Sequence, residues 1–97
     1  MNGKAIHADT RIMRSRNILE SDVDGDVIAL DVERGNCYGL NSTASHAWAM
    51  LARETSLAEI CEALTQRFDV DAVTCQAEIG SLIEELRAEG LVDVVRA

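Results

Sequence analysis

The stretch from Cys37 to Trp48 constrains the fold more than any other part of the chain, because it joins a strand directly to a helix. Residues 37–40 follow the pattern of a short β-strand, which stops at Asn41. From there the apolar spacing becomes helical, and Ser42 is predicted to be the N-cap. The helix carries the only tryptophan of the chain, Trp48, which we expect in the core.

Two turns upstream of this stretch predict a β-meander. Asp24-Gly25 is a strong hairpin signal, since both residues tolerate the positive φ angles of a type I′ turn. It joins a weak strand at residues 18–23 to a stronger one at residues 27–32. A second turn at residues 33–36 leads into the short strand described above. The sequence therefore predicts three antiparallel strands before the first helix.

Two further helices are predicted after the first. Ser56 and Glu59 form a capping box at the start of the second helix, and Asp71 caps a third that runs to about Glu89. Gly90 then supplies the left-handed conformation that ends the third helix. Each helix has an apolar stripe, formed by Leu57, Ile60, Cys61, Leu64 and Phe68 in the second helix and by Cys75, Ile79, Leu82 and Leu86 in the third.

The order of three strands followed by three helices predicts an α+β fold that resembles a winged helix-turn-helix, with a three-stranded antiparallel sheet. A chain of 97 residues is long enough for one core. We expect residues 18–97 to form the domain and residues 1–17 to be a flexible or weakly ordered arm. Within that arm, residues 10–16 are either an edge strand or a tail. The ending at residues 91–95 is either a strand or a docked tail.

Charge and composition limit the classes of function that this chain can have. The formal net charge is −8, and basic residues are concentrated in residues 1–17, so the predicted domain is strongly acidic. An acidic surface repels phosphate backbones, which disfavours nucleic-acid binding. No apolar run has the length of a signal peptide or a membrane span. We therefore expect a soluble, cytoplasmic protein that contacts no membrane.

Residues typical of catalytic and metal sites are scarce. His7 and His46 are the only histidines, and no nucleophile, base and orienting group converge in the sequence. The three cysteines form no CxxC pair, which argues against a disulfide framework or zinc site; each is predicted to be a small buried hydrophobe. The acidic run at residues 22–26 does not match a calcium loop, because the glycine required at the sixth position, counted from Asp22, is Val27 here. We expect no enzyme activity, no cofactor and no metal.

Gly80 is an isolated glycine inside the third predicted helix, where it costs about 1 kcal/mol relative to alanine. Such a glycine indicates that another element approaches closely, either the protein's own sheet or a bound peptide. Gln76, Ile83 and Arg87 follow helical spacing around it. These residues line a groove if the third helix flanks the edge of the sheet.

Taken in order, these elements resemble the PqqD-like family, the small leader-peptide-binding domains called RiPP recognition elements. The resemblance covers roughly residues 18–92. It is carried by the strand Val27 to Asp31, the run Cys37-Tyr38-Gly39-Leu40-Asn41, Ala47-Trp48 with Leu51, the helix start Ser56 to Ile60, the segment Phe68 to Asp71, and Leu82 to Leu91. The residues from Tyr38 to Trp48 are closest to the stand-alone leader-binding proteins of lasso-peptide biosynthesis.

The resemblance implies a non-catalytic adaptor. Such a domain binds the leader of a ribosomally synthesised precursor peptide as an added antiparallel strand beside the third helix. It delivers the precursor to a modifying enzyme or a cysteine-protease-like leader peptidase. Carried over to this chain, the leader-binding residues are Asn36, Cys37, Tyr38, Gly39 and Leu40 on the strand and Val73, Gln76, Ala77, Gly80, Ile83, Glu84 and Arg87 on the helix.

Several alternatives stay open at this point. Neighbouring strand residues face opposite sides, so either Cys37 or the pair Tyr38 and Leu40 faces the cleft. The exposed edge also permits a homodimer in the absence of ligand. A winged-helix DNA-binding regulator has the same order of elements, although its helices here offer few basic residues. A PqqD-type chaperone that works with a radical SAM enzyme is a further alternative. Neither the precursor nor the partner enzyme follows from the sequence.

Overall fold

The computed structural model describes residues 6–24 and 26–95, which form two antiparallel sheets and three helices. The strands are β1 (Arg11–Arg14), β2 (Ile18–Val23), β3 (Asp26–Asp31), β4 (Asn36–Leu40), β5 (Thr55–Ser56) and β6 (Val92–Val94). The helices are α1 (Ser42–Met50), α2 (Leu57–Arg67) and α3 (Ala72–Ala88). The predicted α+β class is confirmed. None of the helices in the described part of the chain has both the length and the apolar composition to cross a membrane.

The predicted meander is the sheet with strand order β2-β3-β4. Asp24 has a φ angle of 55°, as the hairpin prediction requires, while its partner Gly25 lies outside the described residues. The second turn uses Gly35 at a φ of 75°, and its N–H donates to the Asp31 carbonyl. Local turn chemistry therefore sets the register in which β4 becomes an edge strand of this sheet.

Part of the N-terminal segment contributes to the core, because residues 11–14 form the strand β1 and Ile12 of this strand is a core residue. β1 is the central strand of the second sheet, in the order β5-β1-β6. Ile12 pairs with Thr55 on one side and Val94 on the other, and its side chain is 0% exposed. The C-terminal ending is accordingly a strand, because β6 completes this sheet.

Arg14 joins the two sheets through α1. Its guanidinium donates to the Trp48 carbonyl at 3.0 and 3.1 Å, lies 4.5 Å from the centre of the Trp48 ring, and pairs with Glu20 of β2 at 2.8 Å. The Trp48 indole N–H donates to the same carboxylate at 2.9 Å. A cation at the last carbonyls of a helix also complements the helix dipole. The segment before β2 is thus fixed by polar contacts as well as by burial.

Each helix begins at a polar cap. Ser56 accepts from the Glu59 N–H and Asp71 from the Thr74 N–H, as predicted. The cap of α1 is Asn41 rather than the predicted Ser42, because the Asn41 side chain accepts from the Ala44 N–H at 2.9 Å. The strand β4 therefore leads into α1 through one extended residue.

The core lies between the helices and the inner faces of both sheets. Trp48 is 1% exposed and belongs to it, as expected. In α3 the buried stripe is Cys75, Ile79, Ile83 and Leu86, while Leu82, which was predicted in the stripe, is only partly buried. Gly80 faces α2: a Cβ at this position would lie 3.5 Å from Leu57 Cδ2. This is an ordinary van der Waals distance, so among the described residues no element approaches Gly80 closely enough to require a glycine.

The Ser45 hydroxyl closes the β3–β4 ladder. It accepts from the Val27 N–H at 3.0 Å and donates to the Leu40 carbonyl at 3.1 Å, and the residue is buried. We expect Ser45→Ala to lower the free energy of unfolding by about 1–3 kcal/mol, since both backbone groups lose their partner. Urea unfolding measures this. Ser42→Ala, an exposed control in the same helix, is expected to cost under about 0.5 kcal/mol. Equal losses would contradict the bridging role.

Candidate functional site

The strand β4 presents one face to the core and the other to solvent. Tyr38 and Leu40 face inward, and Leu40 is buried, whereas Cys37 and Gly39 are exposed. Their alternation follows from the pleat of a strand. This resolves the question that the sequence left open. It also corrects the prediction of three buried cysteines, because only Cys61 and Cys75 are buried.

The hydrogen-bond pattern of β3 shows which backbone groups of β4 point away from the sheet. Val32, which follows β3, donates its N–H to the Asn17 carbonyl on the β2 side. Backbone groups of successive residues point to opposite sides of a strand, so Val27 points towards β4, where its N–H meets Ser45. Val27 pairs with Leu40 and Ala29 with Tyr38. Every second residue of β4 therefore bonds to β3.

The remaining residues of β4, Cys37 and Gly39, direct their N–H and C=O groups towards the free edge. Within residues 6–24 and 26–95 no strand pairs with this edge. A Cβ placed on Gly39 would meet nothing within 4 Å, so the outer face of β4 is open at this residue. An unpaired strand edge of this kind is a template for another extended chain.

The helix α3 lies along the inner side of β4. The Tyr38 hydroxyl donates to Glu85, and the Asn36 side-chain amide donates to the Glu89 carbonyl at 3.3 Å. From Tyr38 back to Asn36 the strand covers about 6.7 Å, and from Glu85 on to Glu89 the helix covers about 6 Å. The two lengths match and are travelled in opposite chain directions, so β4 and this part of α3 run antiparallel. By helical spacing Glu78 and Leu82 continue the same stripe. We call the space between the inner face of β4 and this stripe the β4–α3 cleft.

Gly90 and Arg34 close one end of the β4–α3 cleft. Gly90 has a φ of 83°, a conformation that favours glycine. A Cβ there would lie 2.5 Å from the end of the flexible Arg34 side chain, so the guanidinium lies directly over this position. Arg34 is also 3.8 Å from Asp31. A guanidinium at this place complements the C-terminal end of the α3 dipole.

The structure brings only part of the predicted site together. The five strand residues lie along the cleft or its edge. Ile83 is a core residue with 0% exposure. The other helix residues lie on the flank of α3 away from β4, where most of them line a separate groove of about 580 Å³ with Ile6 and Leu57. We call this the α2–α3 groove. The predicted site residues that line it are Val73, Gln76, Ala77, Gly80 and Glu84.

Helical geometry explains this division. The buried stripe of α3 has a flank on each side, and Gly80 and Arg87 share the flank opposite to Glu85. The Ile6 N–H, which donates to Glu84 at 3.2 Å, belongs to the α2–α3 groove as well. The flank that contacts β4 carries Glu78, Leu82, Glu85 and Glu89, which the predicted site did not include. Their spacing of four, seven and eleven residues places them together on one flank of the helix, but it does not show that this flank faces β4.

His46 and Cys61 each lie beside a neighbouring side chain. His46 packs edge-on against Phe68, with 5.2 Å between ring centres. Burial and the neighbouring Cys75 thiol raise the pKa of Cys61, which favours the protonated thiol at neutral pH. Within residues 6–24 and 26–95, no three His, Cys, Asp or Glu side chains are grouped so as to hold a metal ion.

The environment of Tyr38 gives a direct test of the cleft. The hydrogen bond to Glu85, burial, and the charges of Glu85 and Glu89 raise the pKa of Tyr38 to about 12. Because Tyr38 is the only tyrosine, phenolate absorbance reports it alone. We expect titration near that value, with a shift back towards 10 in Glu85→Ala.

The same shift sets the pH dependence of stability. Between pH 10 and 12 the unfolded chain loses the phenol proton while the folded chain keeps it, so stability falls as the pH rises through this window. Titration of wild type at the ordinary tyrosine pKa would contradict the Tyr38–Glu85 contact.

Two solved structures share the fold of this chain. TbiB1 in complex with the TbiA(beta) leader peptide has a TM-score of 0.78 and 21% identity, over 88% of this chain and 99% of the other. Lasso peptide synthetase B1 complexed with the leader peptide has a TM-score of 0.74 and 23% identity, over 84% and 96%. At these identities the likeness concerns the fold. Among curated proteins none matches the chain.

A family model gives the assignment that the fold alone does not. The model described as coenzyme PQQ synthesis protein D (PqqD) matches residues 26–92, from β3 to the first residue of β6. This range includes β4, α3 and therefore the whole β4–α3 cleft. The chain belongs to the PqqD family.

Proposed function

We propose that this protein is a non-catalytic adaptor that binds the leader of a ribosomally synthesised precursor peptide at the free edge of β4. The observation that carries the proposal is the open edge at Cys37 and Gly39 beside the β4–α3 cleft. Membership of the PqqD family supports it. Both similar structures are of complexes with leader peptides, and the second is a lasso peptide synthetase B1, which favours a lasso precursor.

The physical basis is strand addition. Backbone hydrogen bonds to the N–H and C=O groups of Cys37 and Gly39 supply affinity with little demand on the sequence of the peptide. Alternate side chains of an antiparallel leader strand then point into the β4–α3 cleft, over Tyr38 and Leu40. The cleft supplies selectivity, while the edge supplies most of the binding.

The adaptor presents the bound precursor to a modifying enzyme or to a cysteine-protease-like leader peptidase. This protein then contributes binding and orientation and takes no part in the chemistry. The PqqD match also favours a second candidate, in which the same leader site serves a radical SAM enzyme. Co-purification with and without leader distinguishes the two candidates. A cysteine-protease-like peptidase should co-purify in the first case, and a radical SAM enzyme in the second.

Calorimetry with the leader encoded by a neighbouring precursor gene tests the proposal. We expect a dissociation constant in the micromolar range or tighter, and loss of binding when the leader amides that face Cys37 and Gly39 are N-methylated. The scrambled leader is the matched control. A leader that fails to bind, or one that binds equally well after N-methylation, contradicts strand addition at β4.

A further inference from the structure

The flank of α3 that faces β4 is acidic. Glu78, Glu85 and Glu89 share it with a single apolar residue, Leu82, by helical spacing. Several arginines of the described residues are engaged elsewhere: Arg11 pairs with Glu54 and Glu59, and Arg14 pairs with Glu20. Arg34 pairs with Asp31 at the end of the cleft. The middle of the cleft therefore carries negative charge next to an open strand edge.

Strand geometry fixes which leader residues meet this flank. An antiparallel leader that bonds to Cys37 and Gly39 places the residue opposite Tyr38 in the cleft, level with Glu85. The cleft-facing residue two positions earlier in the leader lies opposite Leu40. The one two positions later lies opposite Asn36, level with Glu89. Leu40 is buried and apolar, whereas the other two positions are next to carboxylates.

We propose that the β4–α3 cleft selects leaders with an apolar residue followed two positions later by lysine or arginine, whose charge pairs with Glu85. This inference rests on the proposed leader binding and adds the chemistry of the substrate. Glutamate or aspartate at the position of the basic residue is disfavoured by repulsion.

The contact between Tyr38 and Glu85 does not prevent this pairing. A carboxylate accepts about four hydrogen bonds, so the single bond from the Tyr38 hydroxyl leaves Glu85 able to accept an ammonium or guanidinium. Glu85 is exposed, so solvent screens the pair. We therefore expect about a fivefold gain in affinity for lysine over glutamine at this position, which diminishes at high salt.

Selection from a display library of randomised linear peptides tests the proposal on the full-length chain. We expect the enriched sequences to share the apolar residue and the basic residue two positions later. Glu85→Gln removes the charge but keeps an acceptor for the Tyr38 hydroxyl, so this variant is expected to lose the enrichment of the basic residue. Glu62→Gln, an exposed position of α2 with the same change of charge, is the matched control and should keep it.

Direct titration then tests the selectivity for a basic residue separately from strand addition. An enriched peptide and its lysine-to-glutamine version should differ about fivefold on wild type and bind equally to Glu85→Gln. Enriched peptides without a basic residue that still lose binding on N-methylation overturn the selectivity and leave strand addition standing. A selection with no enriched peptides overturns both.

Discussion

Gly39→Pro is expected to abolish leader binding while the protein stays folded. The Gly39 N–H points to the free edge, so proline removes a donor that β3 does not use. Its ring also occupies the position of the leader carbonyl. We expect at least about a tenfold loss of affinity in calorimetry, from the lost hydrogen bond and the steric clash together. Circular dichroism and urea unfolding should remain close to wild type.

Gly39→Ala is the matched control. A Cβ at this position meets no atom within 4 Å, and the residue needs no positive φ angle, so alanine keeps both the N–H and the fold. Affinity should stay within about twofold of wild type. Proline at Tyr38 is a less specific change, because the Tyr38 N–H belongs to the ladder with Ala29. Equal affinity of the proline and alanine variants at position 39 would refute the role of the edge.

Ile12→Ala is expected to cause the largest loss of stability, about 2–5 kcal/mol in urea unfolding. Ile12 is fully buried in the central strand of the β5-β1-β6 sheet, so truncation leaves a cavity between two strands. Met13, the next residue, points the other way and is 39% exposed. Met13→Ala should cost under about 1 kcal/mol. Similar costs for both variants would show that β1 does not contribute to the core.

The meander and the helices could be predicted because their signals are local. Asp24 in its turn, the caps Ser56 and Asp71, and the left-handed Gly90 each act within a few residues of the chain. The change from strand to helix at Asn41 is of the same kind. Such features decide where elements begin and end whatever the rest of the chain does.

The second sheet could not be predicted from local signals. β1 has only four residues, with arginines at both ends, and β5 has two. Neither has an alternating pattern long enough to stand out. Their pairing depends on partners far apart in the chain, such as Ile12 with Val94. The contact of Arg14 with Trp48, which fixes the strand in place, is likewise made across a long separation in the chain.

The candidate site was half predictable for a related reason. The strand residues of β4 follow from the family resemblance and from the pleat. The choice between the two flanks of α3 depends on the direction in which the helix crosses the sheet, which helical spacing does not contain. Gly80 of the predicted site lies on the flank that packs against Leu57. The contacts of Tyr38 and Asn36 identify the other flank.

Residue-resolved amide hydrogen exchange, measured with and without a saturating leader peptide, tests the central claim most directly. In the free protein we expect the Cys37 and Gly39 amides to exchange quickly and the Tyr38 amide to be protected by β3. On binding, Cys37 and Gly39 should become protected. A saturated complex in which both amides still exchange as in the free protein would contradict leader addition at the edge of β4.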